Sequence, residues 1–201
     1  MGLDASPLAP FPEGESLGMN LPNSLTLLRI LLIPVFIGVY TSPSFRHAVI
    51  AAAIFLFASL TDLLDGYLAR RWGQITTLGK FLDPIADKFL VIAALILLVD
   101  FHRVPAWIVI VIIGRELAVT GLRAIASSSG IVIEADEAGK YKMAIQSVSI
   151  FVLILSDLRL GPVDFHALGL VFLWIAMIMA VISGVQYFSK FWRRIHDKGI
   201  G

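Results

Sequence analysis

The 201-residue chain has no cysteine, only four histidines and a charged fraction of 15%. Without cysteine there is no disulfide framework, no thiolate metal site and no cysteine nucleophile. The scarcity of charge excludes more. Soluble domains run at about 25% charged and 45–50% apolar residues, whereas this chain is 58% hydrophobic with a mean hydropathy of +0.86. A soluble globular enzyme does not fit those figures. The 16 basic residues are offset by 15 acidic ones, leaving a net charge of +1, so no nucleic-acid partner is expected. No Lys or Arg precedes Arg29, so the positive start of a secretory signal peptide is missing. Strand alternation long enough for a barrel, heptads and internal repeats are missing too.

What the chain does have is apolar sequence for roughly six spans of ~20 residues. Apolar stretches run over Leu25–Tyr40, His47–Leu60, Phe89–Val99, Val104–Ile125, Met143–Leu155 and His166–Phe188. Several are short, but each can borrow a flanking amphipathic turn to cross a ~30 Å hydrocarbon core. Turn chemistry separates them: Thr41 to Ser44, Asp100 to Pro105, Ser127 to Gly130, and Gly161-Pro162. The pattern predicts an all-α integral membrane bundle of six transmembrane helices. Its domains are an N-terminal tail or interfacial segment over 1–20, a transmembrane domain over 21–190 and a basic C-terminal tail over 191–201.

Basic residues orient the bundle. Arg46, Arg103 and Arg159 mark one face, and Arg70, Arg71, Lys80, Lys140, Lys142, Lys190, Arg193, Arg194 and Lys198 mark the other. By the positive-inside rule the second face is cytoplasmic, with both termini inside a multi-pass protein of the cell (inner) membrane. The cluster from Lys190 to Lys198 also suits contact with anionic membrane lipids.

The chemistry is concentrated between Thr61 and Lys88. Asp62 and Asp65 are three apart and Asp83 and Asp87 four apart, so each pair shares one helix face. A short connection makes their helices antiparallel neighbours, and the pairs can converge. Pro84 is expected in the first turn of the second of these helices. Four convergent carboxylates at a membrane edge repel one another, and divalent cations relieve that repulsion. Carboxylate oxygen suits Mg²⁺ or Mn²⁺, and two such ions ~3.5–4 Å apart can clamp a phosphoryl group. The plainer alternative is that these aspartates are solvated charges or partners of Arg70, Arg71 and Lys88. Gly66 lets a ring or phosphate approach the helix closely, Ala69 keeps the same face low, and Arg70 offers a forked guanidinium. Tight helix packing explains Gly66 and Gly79 equally well.

Asp62-x-x-Asp65-Gly66-x-x-Ala69-Arg70, eight intervening residues, then Gly79-x-x-x-Asp83-x-x-x-Asp87 resembles the full signature of the CDP-alcohol phosphotransferases. The resemblance covers about residues 20–190. Asn23-x-x-Thr26-x-x-Arg29 with Pro34, Gly114-Arg115-Glu116 followed by Arg123, and Gly139-Lys140-x-Lys142 resemble most the members whose acceptor is sn-glycerol 3-phosphate. The resemblance implies six transmembrane helices, a homodimer and a cytoplasm-facing polar active-site cavity. It implies two Mg²⁺ or Mn²⁺ ions held by Asp62, Asp65 and Asp83, with Asp87 as a further ligand and general base. It also implies CDP-diacylglycerol contacts from Asn23, Thr26, Asp62, Gly66, Ala69, Arg70, Thr76 and Gly79.

A second constellation is basic. Arg115 and Arg123 are eight residues apart on one helix face, and Lys140 and Lys142 stand at the next helix entrance. Arginine inside a span usually faces a polar interior, so these four are candidates for an acceptor-phosphate pocket on the cytoplasmic half. Pairing with Glu116 is the structural alternative. The expected activity is phosphatidyl transfer from CDP-diacylglycerol to sn-glycerol 3-phosphate with release of CMP. A sister enzyme with an inositol, inositol phosphate or serine acceptor is the nearest rival, and a divalent-cation transporter is the rival of another class.

Overall fold

The computed structural model describes the backbone of residues 21–42, 44–72, 77–128, 137–160 and 163–197, and the side chains of 24–42, 44–62, 85–86, 88–128, 141–158 and 163–195. Among the described residues there are six helices: α1 (Leu21–Tyr40), α2 (Phe45–Trp72), α3 (Thr77–Asp100), α4 (Ala106–Ser128), α5 (Glu137–Ile154) and α6 (Phe165–Asp197). A two-residue strand pair, β1 (Arg159–Leu160) and β2 (Val163–Asp164), joins α5 to α6 with Arg159 opposite Asp164. Asp164 then caps α6: its carboxylate accepts the N–H groups of His166 at 2.9 Å and Ala167 at 3.1 Å, two of the donors that a helix start leaves unmatched.

The helices outrun the apolar stretches that predict them. α2 continues past Leu60 to Trp72, and α3 starts at Thr77 rather than near Phe89. Once a helix exists, each added residue gains a backbone hydrogen bond whatever its side chain. Three expectations change as a result. Pro84 lies seven residues into α3, not in its first turn, where its missing N–H removes one bond of the ladder. Residues 191–197, expected as a tail, are the last turns of α6. Lys142, counted above among the cytoplasmic surface charges, is 2% exposed inside the bundle. The segment 1–20 lies outside the described residues.

One core cluster draws on all six helices, with Phe36, Phe55, Leu95, Ile112, Ile150 and Leu173 among its members. α2 contributes a buried stripe of Ala48, Ala51, Ala52, Phe55 and Ala58, in which the alanines at helical spacing let α1 pack closely. α5 and α6 approach closely at Gly169, where an added Cβ would lie 2.7 Å from the Leu153 Cγ. The outward faces are apolar as well: Leu31, Ile110 and Val185 are each at least 60% exposed.

The end of the bundle that holds the α3–α4 turn is closed by Arg103. α3 stops with the Arg103 N–H donating to Leu98 O and the His102 N–H to Val99 O, both at 2.9 Å, while His102 takes a left-handed φ of 58°. That is the Schellman arrangement of a helix C-terminus, and it delivers Arg103 toward α5. Its guanidinium donates to Leu153 O at 3.1 Å and Ile154 O at 2.8 Å, to the Tyr40 hydroxyl at 3.1 Å and to Asp157. The two carbonyls belong to the last turn of α5, at the negative end of the helix dipole, and the Leu153 carbonyl also accepts the Ser156 N–H at 3.2 Å. Arg103→Ala should therefore lower unfolding stability by about 3 kcal/mol, read as thermal unfolding of the purified protein. An unchanged midpoint would show that water replaces these bonds at no loss.

Candidate active site

Arg29 has no exposed surface, and its Nη1 lies 2.6 Å from the Asp62 Oδ1. The pair joins α1 to α2 among apolar side chains. A lone carboxylate there would be strongly disfavoured, and a buried cation supplies its counter-charge. Three more polar links lie at comparable depth. The Lys88 Nζ donates to the Thr120 Oγ1, which itself donates to the Glu116 carbonyl at 2.7 Å. The Glu116 Oε1 accepts from the Lys142 Nζ and, at 3.2 Å, from the Arg115 Nη1. Arg115 also reaches α6, donating through Nε to Ala180 O at 2.9 Å and through Nη2 to the Ser183 Oγ.

These links form one polar layer across the bundle. Arg29, Asp62, Lys88, Glu116, Lys142 and Ser183 all lie inward of the helix ends opposite Arg103, at depths of roughly 8–21 Å by the 1.5 Å rise per residue. A cavity between α3, α4 and α5 borders the layer, with Lys88, Glu116, Gln146 and Ser147 on its polar side and Val91, Leu95 and Ile112 on its apolar side.

The sequence-predicted residues are distributed as follows. α2 carries Asp62, Asp65, Gly66, Ala69 and Arg70, and α3 carries Gly79, Asp83 and Asp87, so each aspartate pair is helical at the expected spacing. Asp62 is the one aspartate of the four whose side chain is described. Thr26 is buried on α1, one turn before Arg29. Asn23 and Lys140 belong to α1 and α5 by backbone, and Thr76 lies outside the described residues.

The basic constellation differs in detail from expectation. Arg115 sits nine residues into α4 and thirteen from its end, so it is not on the half expected to be cytoplasmic. Arg115 and Arg123 do share a face, and that face meets α6: the Arg123 guanidinium carbon stands 5.7 Å from the centroid of the Tyr187 ring. The Tyr187 hydroxyl is buried with no hydrogen-bond partner among the described residues.

Sequence reasoning missed two parts of this layer. Arg29 was read only as a motif position, although an arginine one turn from Thr26 in an apolar helix signals a buried counter-charge. Ser183 and Gly184 carried no signal, because a Ser-Gly pair in an apolar helix resembles ordinary small-residue packing.

Glu116 and Lys142 should behave as a coupled pair. Glu116→Gln and Lys142→Met should each destabilise by about 1.5–3 kcal/mol, because each removes one side of a charged hydrogen bond. The double variant should lose clearly less than the sum. Additive losses in thermal unfolding would show that the two side chains do not interact.

A family model described as CDP-alcohol phosphatidyltransferase matches residues 19–182. The chain is similar to a Bacillus subtilis (strain 168) protein named CDP-diacylglycerol–glycerol-3-phosphate 3-phosphatidyltransferase, with 46% identity over 188 residues, 88% of this chain and 97% of the relative. A Rickettsia felis protein of the same name is 35% identical over 170 residues, covering 85% of this chain and 94% of its own. A Mycobacterium tuberculosis (strain H37Rv) protein named probable phosphatidylglycerophosphate synthase is 42% identical over 181 residues, covering 88% and 83%.

Proposed function

The chain belongs to the CDP-alcohol phosphatidyltransferase family, and from that premise we propose that it transfers the phosphatidyl group of CDP-diacylglycerol to sn-glycerol 3-phosphate, yielding phosphatidylglycerophosphate and CMP. The observation that carries this reading is the 46% identity, across nearly the full length of both chains, to the relative whose name states that donor and acceptor. The proposal places the protein in the cell (inner) membrane as a multi-pass homodimer with both termini cytoplasmic. Two helices support the membrane setting, being long and apolar enough to cross a bilayer over Phe45–Asp62 and Phe165–Ile195. So do the apolar outward faces, which suit lipid contact rather than water.

The same reading assigns two Mg²⁺ or Mn²⁺ ions to Asp62, Asp65, Asp83 and Asp87. The donor set fits hard cations, since it is carboxylate oxygen with no thiolate in the chain. Asp62 fits in particular. Its side chain is 27% exposed, with Arg29 held 2.6 Å from one carboxylate oxygen. When bound, such ions neutralise the diphosphate of CDP-diacylglycerol and the charge developing on departing CMP.

The chain's own residues do the remainder. Thr26 and Asn23 on α1, Gly66, Ala69 and Arg70 on α2, Thr76, and Gly79 on α3 receive the cytidine nucleotide. Arg115, Arg123, Lys140 and Lys142 receive the acceptor phosphate, which brings close to two negative charges at neutral pH and needs cations to enter beside four carboxylates. Asp87 takes the proton from the acceptor hydroxyl as its oxygen attacks the phosphatidyl phosphorus. The P–O bond to CMP breaks, and CMP leaves as the phosphate ester.

The test offers purified protein CDP-diacylglycerol with labelled sn-glycerol 3-phosphate, inositol, inositol phosphate or serine. Labelled phosphatidylglycerophosphate and equimolar CMP are expected from the first alone, lost in excess EDTA and restored by Mg²⁺ or Mn²⁺. Product from another acceptor would overturn the acceptor assignment, and full turnover of metal-free protein would overturn the metal assignment. Cation uptake into liposomes without CMP release would favour the transporter instead. Asp87→Asn should lower kcat by about 10²–10⁴-fold while sparing CDP-diacylglycerol binding more than Asp62→Asn or Asp83→Asn does. Near-wild-type turnover of that variant would remove Asp87 from both roles.

A further inference from the structure

Arg115 is held against α6 in a way that packing alone does not require. Its Nε donates to Ala180 O at 2.9 Å and its Nη2 to the Ser183 Oγ, while Nη1 meets Glu116 at 3.2 Å. The stem lies flat on the α6 backbone because residue 184 is glycine: a Cβ there would come within 3.1 Å of the Arg115 Cγ and 3.5 Å of its Nε. The Ala180 carbonyl has two lone pairs, so it can serve Arg115 as well as the helix ladder.

Three of the five guanidinium N–H donors are thus directed at protein. The long, flexible side chain is reduced to one orientation, with two N–H groups left for an anion. Arg123, two turns further along α4, rests over Tyr187, one turn beyond Ser183 on α6. One face of α6 therefore seats both arginines of α4.

We propose that α6 is the positioning element of the acceptor site, with Ser183 and Gly184 orienting Arg115 toward the phosphate of the acceptor. The inference rests on the reading above that Arg115 meets that phosphate. Ser183 and Gly184 are positioning residues: they act through Arg115 and touch no reacting atom. Preorganisation of this kind lowers the ordering cost of binding the anion. It therefore acts on acceptor affinity and leaves the nucleotide half of the site alone.

The experiment measures KM for sn-glycerol 3-phosphate, KM for CDP-diacylglycerol, kcat and thermal unfolding for Arg115→Ala, Ser183→Ala, Ser183→Thr, Gly184→Ala and the double variant of Arg115→Ala with Ser183→Ala. Arg115→Ala should raise the acceptor KM about tenfold or more, as loss of a charged hydrogen bond does. Ser183→Ala and Gly184→Ala should raise it roughly fivefold, with donor KM and kcat within about twofold of wild type. Ser183→Thr keeps the hydroxyl and should restore the acceptor KM. The double variant should be no worse than Arg115→Ala alone.

If Arg115→Ala raises the acceptor KM but Ser183→Ala and Gly184→Ala leave it unchanged, the positioning role is overturned and the acceptor pocket stands. If Arg115→Ala leaves it unchanged, the pocket assignment fails and the positioning role fails with it. Parallel rises in both KM values with a lowered unfolding midpoint would assign Ser183 and Gly184 to packing and overturn the inference.

Discussion

The contact of Arg29 with Asp62, at 2.6 Å and with no water-accessible surface on the arginine, sets the terms for the rest of the molecule. A carboxylate in the middle of an apolar bundle is costly unless a cation meets it. Arg29 on α1 meets that need, so the ion pair joins α1 to α2 alongside their alanine packing. The same rule recurs on the other side of the bundle, where Glu116 on α4 answers Lys142 on α5. Core-facing and outward-facing side chains are similarly apolar here. Hydrophobicity therefore does little to choose between alternative helix pairings in a bilayer, and the polar layer adds that choice.

The two ends of the bundle divide the work. At one end Arg103 collects the last carbonyls of α5, the end of α1 and the loop after α5 into a capped junction. At the depth of the polar layer, charged groups are held in pairs and short networks. The Arg103 junction closes one end of the bundle, and the polar layer lies in its interior. The proposed reaction moves a phosphatidyl group from a nucleotide-activated lipid to a small dianion and releases CMP. It accordingly draws on carboxylates from α2 and α3 and on cations from α4 and α5, with α6 as the surface that sets the arginines.

The legible part of the fold was its helix count and the helical placement of the paired aspartates. Six apolar stretches separated by turn residues correspond to six helices, and the paired aspartates fall on α2 and α3 at helical spacing. Helix extents were less legible. Apolar runs stop where side chains become polar, whereas the backbone ladder continues to Trp72 and starts again at Thr77. Pro84 was misplaced for that reason, and the residues after Lys190 were taken for a tail. For Lys142 the sequence leaves pairing with Glu116 as an alternative to a phosphate pocket, and the structure buries the lysine against that glutamate.

The sequence by itself determined the apolar spans, the absence of thiol chemistry, the carboxylate spacing and the kinship that names the reaction class. These are properties of composition and of separation along one helix, which 3.6 residues per turn converts directly into a shared face. Only the tertiary structure decided that Arg29 belongs to Asp62, that Glu116 belongs to Lys142, and that Arg115 lies against Ser183 and Gly184. Each of those contacts joins residues far apart in the chain. Helical periodicity says which way a residue faces on its own helix, but the helix found on that side depends on how all six pack together.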